Sequence, residues 1–409
     1  MSVTSKPTPP RSEPSLTRRI VVWALLFVGG ATLAWLLTTR GPTLFSANDF
    51  VQYWGASRLN RTSGNPYDPA QMLPLQRSVG WDEELPLMMW NPPWTLPLVA
   101  LFGLLPYQAA STLWVIVLVA AVALSAILSW DVYDGPRCRH PLALLPVLLF
   151  VPTLAALELG QISVLILVGV VGFLYAAKRE KWHLAGIVAV LISIKPQLLY
   201  LFWPLFVLWC VQERRWPPLV TCGGTALVLL ALSLAQNPLV LTQYLHVSIH
   251  EPPLGYMPST LGTWLRLAFG WDRRWLQFVP AGLGLLWALW YWGRHRRAWA
   301  WRDQMPVLLL VSVATTAYGW AFDLVVLVPV LVQVMTWALR HRRVAIVGAA
   351  LFLAINAGAL LMTASGQSHW YHYTWMPWAM LGGHLLLSAI VKRSPPSADE
   401  RRSDVHLRS

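Results

Sequence analysis

The chain has 409 residues, of which 56% are hydrophobic and only 12% are charged, and its net charge is +13. A soluble domain carries about 25% charged residues, so this composition excludes a soluble class of protein. The positive charge does not indicate a nucleic-acid partner, because the basic residues cluster in short loops between apolar segments, as the positive-inside rule requires of a membrane protein.

Apolar runs of about 15–22 residues recur along the whole chain and predict an all-α, polytopic integral membrane protein with about 12 transmembrane helices. A basic N-terminal tail, 1–19, precedes a single membrane domain, 20–391, and a polar C-terminal tail, 392–409, follows it. Several helices are too short to span upright, so we expect them to be buried among neighbours. The predicted helices are 20–38, 108–130, 142–157, 161–177, 183–194, 197–211, 217–235, 275–293, 305–317, 321–339, 344–364 and 375–391.

Basic clusters set the predicted orientation, because Lys and Arg remain on the cytoplasmic side. The clusters are KREK at 178–181, ERR at 213–215 and RHRR at both 294–297 and 340–343. Together with the basic tails, they place both termini in the cytoplasm of a multi-pass plasma-membrane protein.

Two long segments, 40–107 and 236–274, then become extracytoplasmic loops. The first ends in an apolar stretch, 90–106, whose prolines favour a re-entrant or interfacial segment over a spanning helix. The second contains PSTLGTWLRLAFGW at 258–271, which is typical of a short amphipathic helix on the membrane surface. Outer loops that carry such short surface helices are suited to covering a site at the outer face.

Asp49 lies in the first outer segment, in NDFVQYWG at 48–55, beside Tyr53 and other aromatic residues. A partly desolvated carboxylate has a raised pKa and serves as a general base. The same residue also fits a solvated loop acid or the N-cap of the helix that follows. The sequence leaves these alternatives open.

Lys195-Pro196 interrupts a segment whose two flanks are both basic, which predicts two short helices with this dipeptide at the outer apex. The lysine is suited to binding a lipid phosphate as a point charge, or to snorkelling. Glu158 and Gln161 form another outer turn. Glu158 is a candidate partner of Lys195 and Gln161 a candidate ligand of a sugar hydroxyl, although both also fit simple capping roles.

Asp323 is predicted at the outer end of a helix, where the helix dipole favours a carboxylate. Arg266, in the surface segment, is a candidate for binding a phosphate or lipid headgroups. His369 and His372 lie in HWYHYTW, where aromatic rings suit either sugar stacking or an interfacial belt. Their spacing occurs in metal sites, but the sequence offers no clear third ligand.

Six stretches occur in an order that resembles the C-type (GT-C) glycosyltransferases and, within them, glycosyltransferase family 87. The most distinctive features are the early Asp-Phe, the Pro-Pro segment, Gly-Gln-Ile-Ser and Ile-Lys-Pro. The stretches are NDFVQYWGASRLNRTSGNPYD, NPPWTLPLVALFGLLP, LELGQISVLILVGVVGFLYAAKR, AGIVAVLISIKPQLLYLFWPL, PSTLGTWLRLAFG and WAFDLVVLVPVL.

The resemblance implies a GT-C-type bundle that transfers a sugar, by family default mannose, from a polyprenyl-phosphate carrier to a glycolipid or glycan hydroxyl at the outer face. It implies inversion at the sugar carbon, Asp49 as the general base, Lys195 on the donor phosphate and Asp323 at a matching acidic position. Phe322 stands where relatives commonly have Tyr, and Met257-Pro258-Ser259-Thr260 replaces a common Asn-Gln-Ser.

No cofactor is implied besides the lipid-linked donor, and a divalent metal is compatible but not required. The expected partners are the donor, the acceptor and membrane lipids, with no nucleic acid. Two other functions stay open: a transporter or flippase of a lipid-linked or small polar solute, and a non-catalytic scaffold. Transporters often contain internal repeats, and the sequence contains no repeat of fixed period.

Overall fold

The computed structural model describes residues 48–250, 255–366 and 369–393, where the regular structure is helical without a strand. The predicted helix 20–38, the N-terminal tail and nearly all of the C-terminal tail lie outside these ranges. The α-helices are α1 Phe50–Arg61, α2 Pro69–Arg77, α3 Leu96–Val99, α4 Tyr107–Val132, α5 Leu144–Leu148, α6 Val151–Glu158, α7 Ser163–Lys178, α8 Trp182–Ala189, α9 Phe202–Gln212, α10 Pro217–Gln236, α11 Val240–His250, α12 Leu261–Phe269, α13 Val279–His295, α14 Trp301–Thr315, α15 Val328–Arg340, α16 Arg342–Ala364 and α17 Trp375–Arg393.

Short 3₁₀-helices connect many of these elements; one ends directly before Lys195 and another contains Asp323. They are Pro93–Thr95, Phe102–Leu104, Arg137–Ala143, Val190–Ile194, Arg274–Phe278, Arg296–Ala298, Ala321–Leu327 and Trp370–Thr374. The predicted helices within the described ranges are confirmed as helical segments. The largest difference is at Lys195-Pro196, where the next helix, α9, begins at Phe202 after a run of turns.

Five segments in the described part of the chain are long and apolar enough to cross a membrane. The total of about 12 crossings stays a prediction, since α7, α8 with its 3₁₀ extension, and α9 are shorter apolar helices. The five segments are Tyr107–Val132, Pro217–Gln236, Ala321–Arg340, Arg342–Ala364 and Trp370–Arg393.

The helix predicted at 142–157 is a bent pair, Cys138–Leu148 and Val151–Glu158, with 75° between its halves. A break in an apolar environment leaves backbone groups that need partners. Asn356 of α16 supplies one, since its Oδ1 accepts a 2.8 Å hydrogen bond from the N–H of Val151. This hydrogen bond fixes the start of the second half, α6, and thereby the position of its C-terminal end, which precedes Gln161.

Helix α7 is the central element, because it packs against α4, α8 and the 3₁₀-helices that precede Lys195 and contain Asp323. Gly169 permits one of these contacts. A Cβ at this position would lie 2.8 Å from Cβ of Leu191 and 3.1 Å from N of Ile192. A small residue at such a crossing lets two backbones approach closely, and this approach brings Lys195 to the N-terminal end of α7.

The opposite end of α7 carries a separate cluster of charges. Lys178 Nζ lies 2.5 Å from Asp134 Oδ1, and Arg302 Nη1 lies 2.5 Å from Asp134 Oδ2. Arg340 Nη2 donates a 2.9 Å hydrogen bond to the backbone oxygen of Asp134. Since the 16 residues of α7 span about 24 Å, this basic cluster and the Ser163 end of the helix are well separated.

The two predicted outer segments, 40–107 and 236–274, contain short helices where the sequence predicted them. Residues 90–106 form three short helical pieces, none long enough to span a membrane. Helix α12, in the second segment, exposes Trp264, Leu267 and Phe269 while Arg266 is buried. An exposed apolar face on a short helix fits a position at the membrane surface.

Candidate functional site

Asp49 lies directly before α1, and its backbone is attached to the turn between α6 and α7. Its N–H donates a 3.0 Å hydrogen bond to the carbonyl of Leu159. The half-buried carboxylate makes no capping hydrogen bond to its own helix and instead accepts one from Nε2 of Gln161. Asp49 thus occupies the N-cap position of α1, as one of the alternatives predicted, but its carboxylate does not cap the helix and faces another part of the chain.

Gln161 is positioned by the C-terminal end of α6. Gly160 has φ +70°, a left-handed conformation that favours glycine. The N–H of Gly160 bonds the carbonyl of Leu157 at 3.2 Å, and the N–H of Gln161 bonds the carbonyl of Ala156 at 2.8 Å. This pair of bonds is a Schellman motif, which ends α6 and holds Gln161 at a defined place before α7 begins.

Tyr53 lies one helical turn after Asp49, so the two side chains share a face of α1. Its hydroxyl donates a 3.2 Å hydrogen bond to Oε1 of Gln161 and accepts one of 3.5 Å from the N–H of Ile162. Because Tyr53 donates to Oε1, the Gln161 amide is oriented with its nitrogen toward Asp49.

Lys195 is the residue before a proline, which disfavours helical backbone, and its φ of −128° and ψ of 77° end the preceding 3₁₀-helix. Asn91 supports this turn by donating a 2.9 Å hydrogen bond to the carbonyl of Ile194. The ammonium donates to Asp323 Oδ1 at 2.7 Å, Ser163 Oγ at 3.0 Å and Gln161 Oε1 at 3.5 Å.

Asp323 is 1% exposed, so its charge needs close partners. Its Oδ2 accepts a 3.0 Å hydrogen bond from the N–H of Trp320 at the start of a 3₁₀-helix, while Oδ1 accepts from Lys195 and from the hydroxyl of Ser163. Asp323 therefore lies at a helix start, as predicted, and in addition forms an ion pair with Lys195. Glu158, which the sequence had suggested as a partner of Lys195, lies half-buried at the end of α6.

The contacts form one chain, Asp49–Gln161–Lys195–Asp323, that brings together residues from four separate parts of the sequence. The pKa of Asp49 is raised to about 6, mainly because the carboxyl group is buried and to a smaller extent because of the nearby Asp323 charge. The Gln161 hydrogen bond and the Lys195 charge act in the opposite direction. At neutral pH Asp49 is therefore mostly ionised, with a pKa close to that of an effective general base.

Arg266 makes close contacts with residues that follow α12 in the chain. Its Nε and Nη2 donate to the carbonyl of Trp271 at 3.0 and 2.9 Å, and its guanidinium lies 3.7 Å from the centre of the Trp271 ring. Nη1 also donates to Oε1 of Gln277 at 3.4 Å. These contacts fasten α12 to the residues that follow it.

His369 and His372 belong to an aromatic segment that borders the site through a neighbouring residue. Their rings contact Tyr371, and His372 also lies 6.5 Å from Trp264. Trp370 contacts Phe322 edge-on at 5.4 Å, and Lys195 Nζ lies 5.2 Å from the centre of the Phe322 ring. Among the described residues, no group of three or more His, Cys, Asp or Glu side chains is arranged to bind a metal ion.

Sequence reasoning missed two side chains of this site. Ser163 bridges Lys195 and Asp323, and its signal was available as the last residue of the Gly-Gln-Ile-Ser motif. Asn91 holds the backbone before Lys195 from 103 residues away, and the only local signal for it was its place in the Asn-Pro-Pro motif.

The fold and the site define an integral membrane protein of the helical class with a carboxylate, an amide and a lysine gathered at one end of its central helix. Residues 90–320 match the model of glycosyltransferase family 87, and the chain belongs to this family. It is therefore a glycosyltransferase, with a sugar donor and an acceptor as its substrates. Comparisons with curated proteins and with solved structures gave no match.

Proposed function

We propose that this glycosyltransferase transfers a sugar, mannose in the first instance, from a polyprenyl-phosphate carrier to an acceptor hydroxyl at the extracytoplasmic face. The observation that carries the proposal is the connection of Asp49 to Lys195 through Gln161. A carboxylate able to take a proton and a cation able to hold a phosphate are the two groups that this reaction needs.

Asp49 acts as the general base. The acceptor O–H gives its proton to the carboxylate, and the acceptor oxygen attacks the anomeric carbon of the donor sugar. The bond from that carbon to the phosphate oxygen breaks on the opposite face, so the configuration inverts. The electron pair leaves with the polyprenyl phosphate, which is a stable anion at neutral pH and needs no general acid.

Lys195 binds that phosphate. An ammonium has three N–H donors, and here they contact Asp323, Ser163 and Gln161. The 3.5 Å contact to Gln161 is the longest and weakest of the three. A phosphate oxygen can replace it while Asp323 and Ser163 hold the ammonium in place, so the ion pair orients the lysine for the donor.

The two ends of α7 support the extracytoplasmic placement. Lys178, Arg302 and Arg340 surround Asp134 at one end, in the loops that the positive-inside rule assigns to the cytoplasm. Gln161 and Lys195 lie at the other end of the same helix. A polyprenyl donor also suits a site at the membrane edge, because its chain stays in the bilayer while its phosphate reaches the polar interface.

The test is a comparison of donors with the purified chain in proteoliposomes that also contain an extract of envelope glycolipids. Label is supplied either as polyprenyl-phosphate mannose or as GDP-mannose. We expect transfer from the lipid-linked donor alone. Transfer from the nucleotide sugar alone would contradict the proposed donor, and transfer from neither would contradict mannose as the sugar.

A further inference from the structure

A second polar cleft lies where the two predicted outer segments meet, separate from the Asp49 site. Its volume is about 490 Å³, and its lining comes from the start of α2 and from α11. The lining residues are Asn65, Tyr67, Asp68, Pro69, Thr242, Gln243, His246 and Val247. A concave site of this volume is large enough for a small organic ligand.

The lining favours an uncharged ligand that is rich in hydroxyl groups. It contains amides, hydroxyls, an imidazole and one carboxylate, Asp68, but no Lys or Arg, which a phosphate or other anion would require. These groups both donate and accept hydrogen bonds, and a sugar hydroxyl does the same. The composition therefore matches a carbohydrate better than a lipid chain or an anion.

The protein orients the side-chain amides of Asn65 and Gln243 through their oxygens, and their N–H groups remain available as donors. Oδ1 of Asn65 accepts from the N–H of Tyr67 at 3.0 Å, and Oε1 of Gln243 accepts from Nδ2 of Asn237 at 3.0 Å. Within the described chain, neither Nδ2 of Asn65 nor Nε2 of Gln243 has a hydrogen-bond partner. Both residues are half-buried, so their free N–H groups lie at a restricted surface.

A hydrogen-bonded path connects this cleft to the lysine of the first site. The Tyr67 hydroxyl donates a 3.0 Å bond to the carbonyl of Asn91, and Asn91 Nδ2 donates to the carbonyl of Ile194, the residue before Lys195. Helix α1 separates Asp49 from Asn65, and its 12 residues span about 18 Å. A ligand that occupies both places must contain several sugar units.

We infer that this cleft is a carbohydrate subsite that binds a distal part of a glycan-bearing acceptor while the reacting hydroxyl lies at Asp49. This inference rests on the proposed function, because it specifies the acceptor whose hydroxyl reaches Asp49. The proposed ligand is an oligosaccharide of pyranose units, and the proposal is the same whether a lipid or a polymer carries that oligosaccharide.

The experiment measures binding directly and does not depend on turnover. Mannotriose, maltotriose and cellotriose are the probes, titrated against the full chain in lipid nanodiscs by saturation-transfer NMR. We expect at least one to bind, and to bind equally well to the Asp49→Asn protein. Because binding and transfer are measured separately, failure of the subsite and failure of the proposed reaction are distinguishable.

Two conservative variants test the location. Asn65→Asp and Gln243→Glu each keep the oxygen that the protein uses and replace the free N–H donors with a charged carboxylate oxygen that can only accept. The double variant is expected to raise the Kd at least about tenfold. Ile249→Ala is the control, since this side chain on α11 is 70% exposed and does not line the cleft. No binding by any trisaccharide would overturn the inference, and so would equal binding by the double variant.

Discussion

Lys195 and Asp323 form the ion pair at the centre of the site, with Nζ 2.7 Å from Oδ1 although 128 residues separate them. The exposed fractions of their side chains are 14% and 1%. The pair does two things in our proposal: it neutralises a buried carboxylate, and it holds an ammonium at the edge of the space next to Asp49.

Removing the charge of Lys195 tests both roles. Lys195→Met leaves Asp323 as an unpaired buried charge, and breaking a buried pair in this way costs about 3–5 kcal/mol. We expect a lower melting temperature in nanodiscs and the loss of sugar transfer.

The double variant Lys195→Met/Asp323→Leu separates the two effects. Replacing both partners with apolar groups removes the unpaired charge, so the melting temperature should recover most of the loss. Transfer should not recover, because the phosphate still lacks its cation. Recovery of transfer together with stability would show that Lys195 is only structural.

Asp49→Asn removes the proposed base while keeping the size of the side chain. The rate of transfer should fall about 10²–10⁴-fold, with donor affinity close to that of the unchanged chain. Initial rates with labelled polyprenyl-phosphate mannose measure the effect. Glu83→Gln is the control, since this exposed acid in the same outer segment should tolerate the change, and equal rates for both variants would argue against the base.

The pH profile follows from the raised pKa of Asp49, which is about 6. A base must be ionised to work, so kcat/KM should be flat above pH 7 and fall about tenfold per pH unit well below pH 6. The acid limb should be absent from the residual activity of Asp49→Asn. A limb that persists unchanged in that variant would assign the titration to another group.

Gln161→Leu provides a second readout of the same geometry. The Gln161 hydrogen bond lowers the pKa of Asp49, because it stabilises the ionised carboxylate. Without that bond the pKa rises, and the acid limb of the profile moves toward neutral pH. Gln108→Leu, at an exposed position on α4, should leave the limb where it is.

The helical class and most helix positions were predictable, because long apolar runs dictate them locally. Asp49, Gln161 and Lys195 were also identified, since polar groups between apolar runs are conspicuous. The partners were not predictable: Lys195 pairs with Asp323, not Glu158, because of how α7 packs against two 3₁₀-helices. Such packing depends on contacts like that of Gly169 with Leu191, which no local pattern reveals.

The number of membrane crossings was also not predictable from the sequence. Hydrophobic length identifies α4, α10 and α16 as helices long and apolar enough to cross a membrane. It does not decide whether a shorter apolar helix such as α9 crosses the membrane or packs within the bundle, because both kinds of helix consist of apolar residues. Sequence alone therefore predicts where helices lie better than it predicts which of them cross the membrane.

Phe322 tests whether the aromatic ring next to Lys195 contributes to donor binding. The ammonium lies 5.2 Å from the ring centre, a distance at which a cation–π contact contributes about 0.5–1 kcal/mol or more. Phe322→Leu should therefore raise the KM for the donor about two- to fivefold. Phe322→Tyr keeps the ring and should preserve the KM, and an equal loss in both variants would instead indicate a packing defect.

Gly160→Ala tests the turn that positions Gln161. With φ at +70°, an alanine there costs roughly 1–2 kcal/mol and distorts the Schellman motif. We expect slower transfer and an acid limb displaced toward neutral pH, because Gln161 no longer holds the Asp49 carboxylate in its ionised form. Gly282→Ala is the matched control: it lies within α13, its added Cβ would meet nothing within 4 Å, and alanine is the better helix former. If Gly160→Ala lowers the melting temperature without changing the pH profile, the turn is needed for folding but does not set the protonation of Asp49.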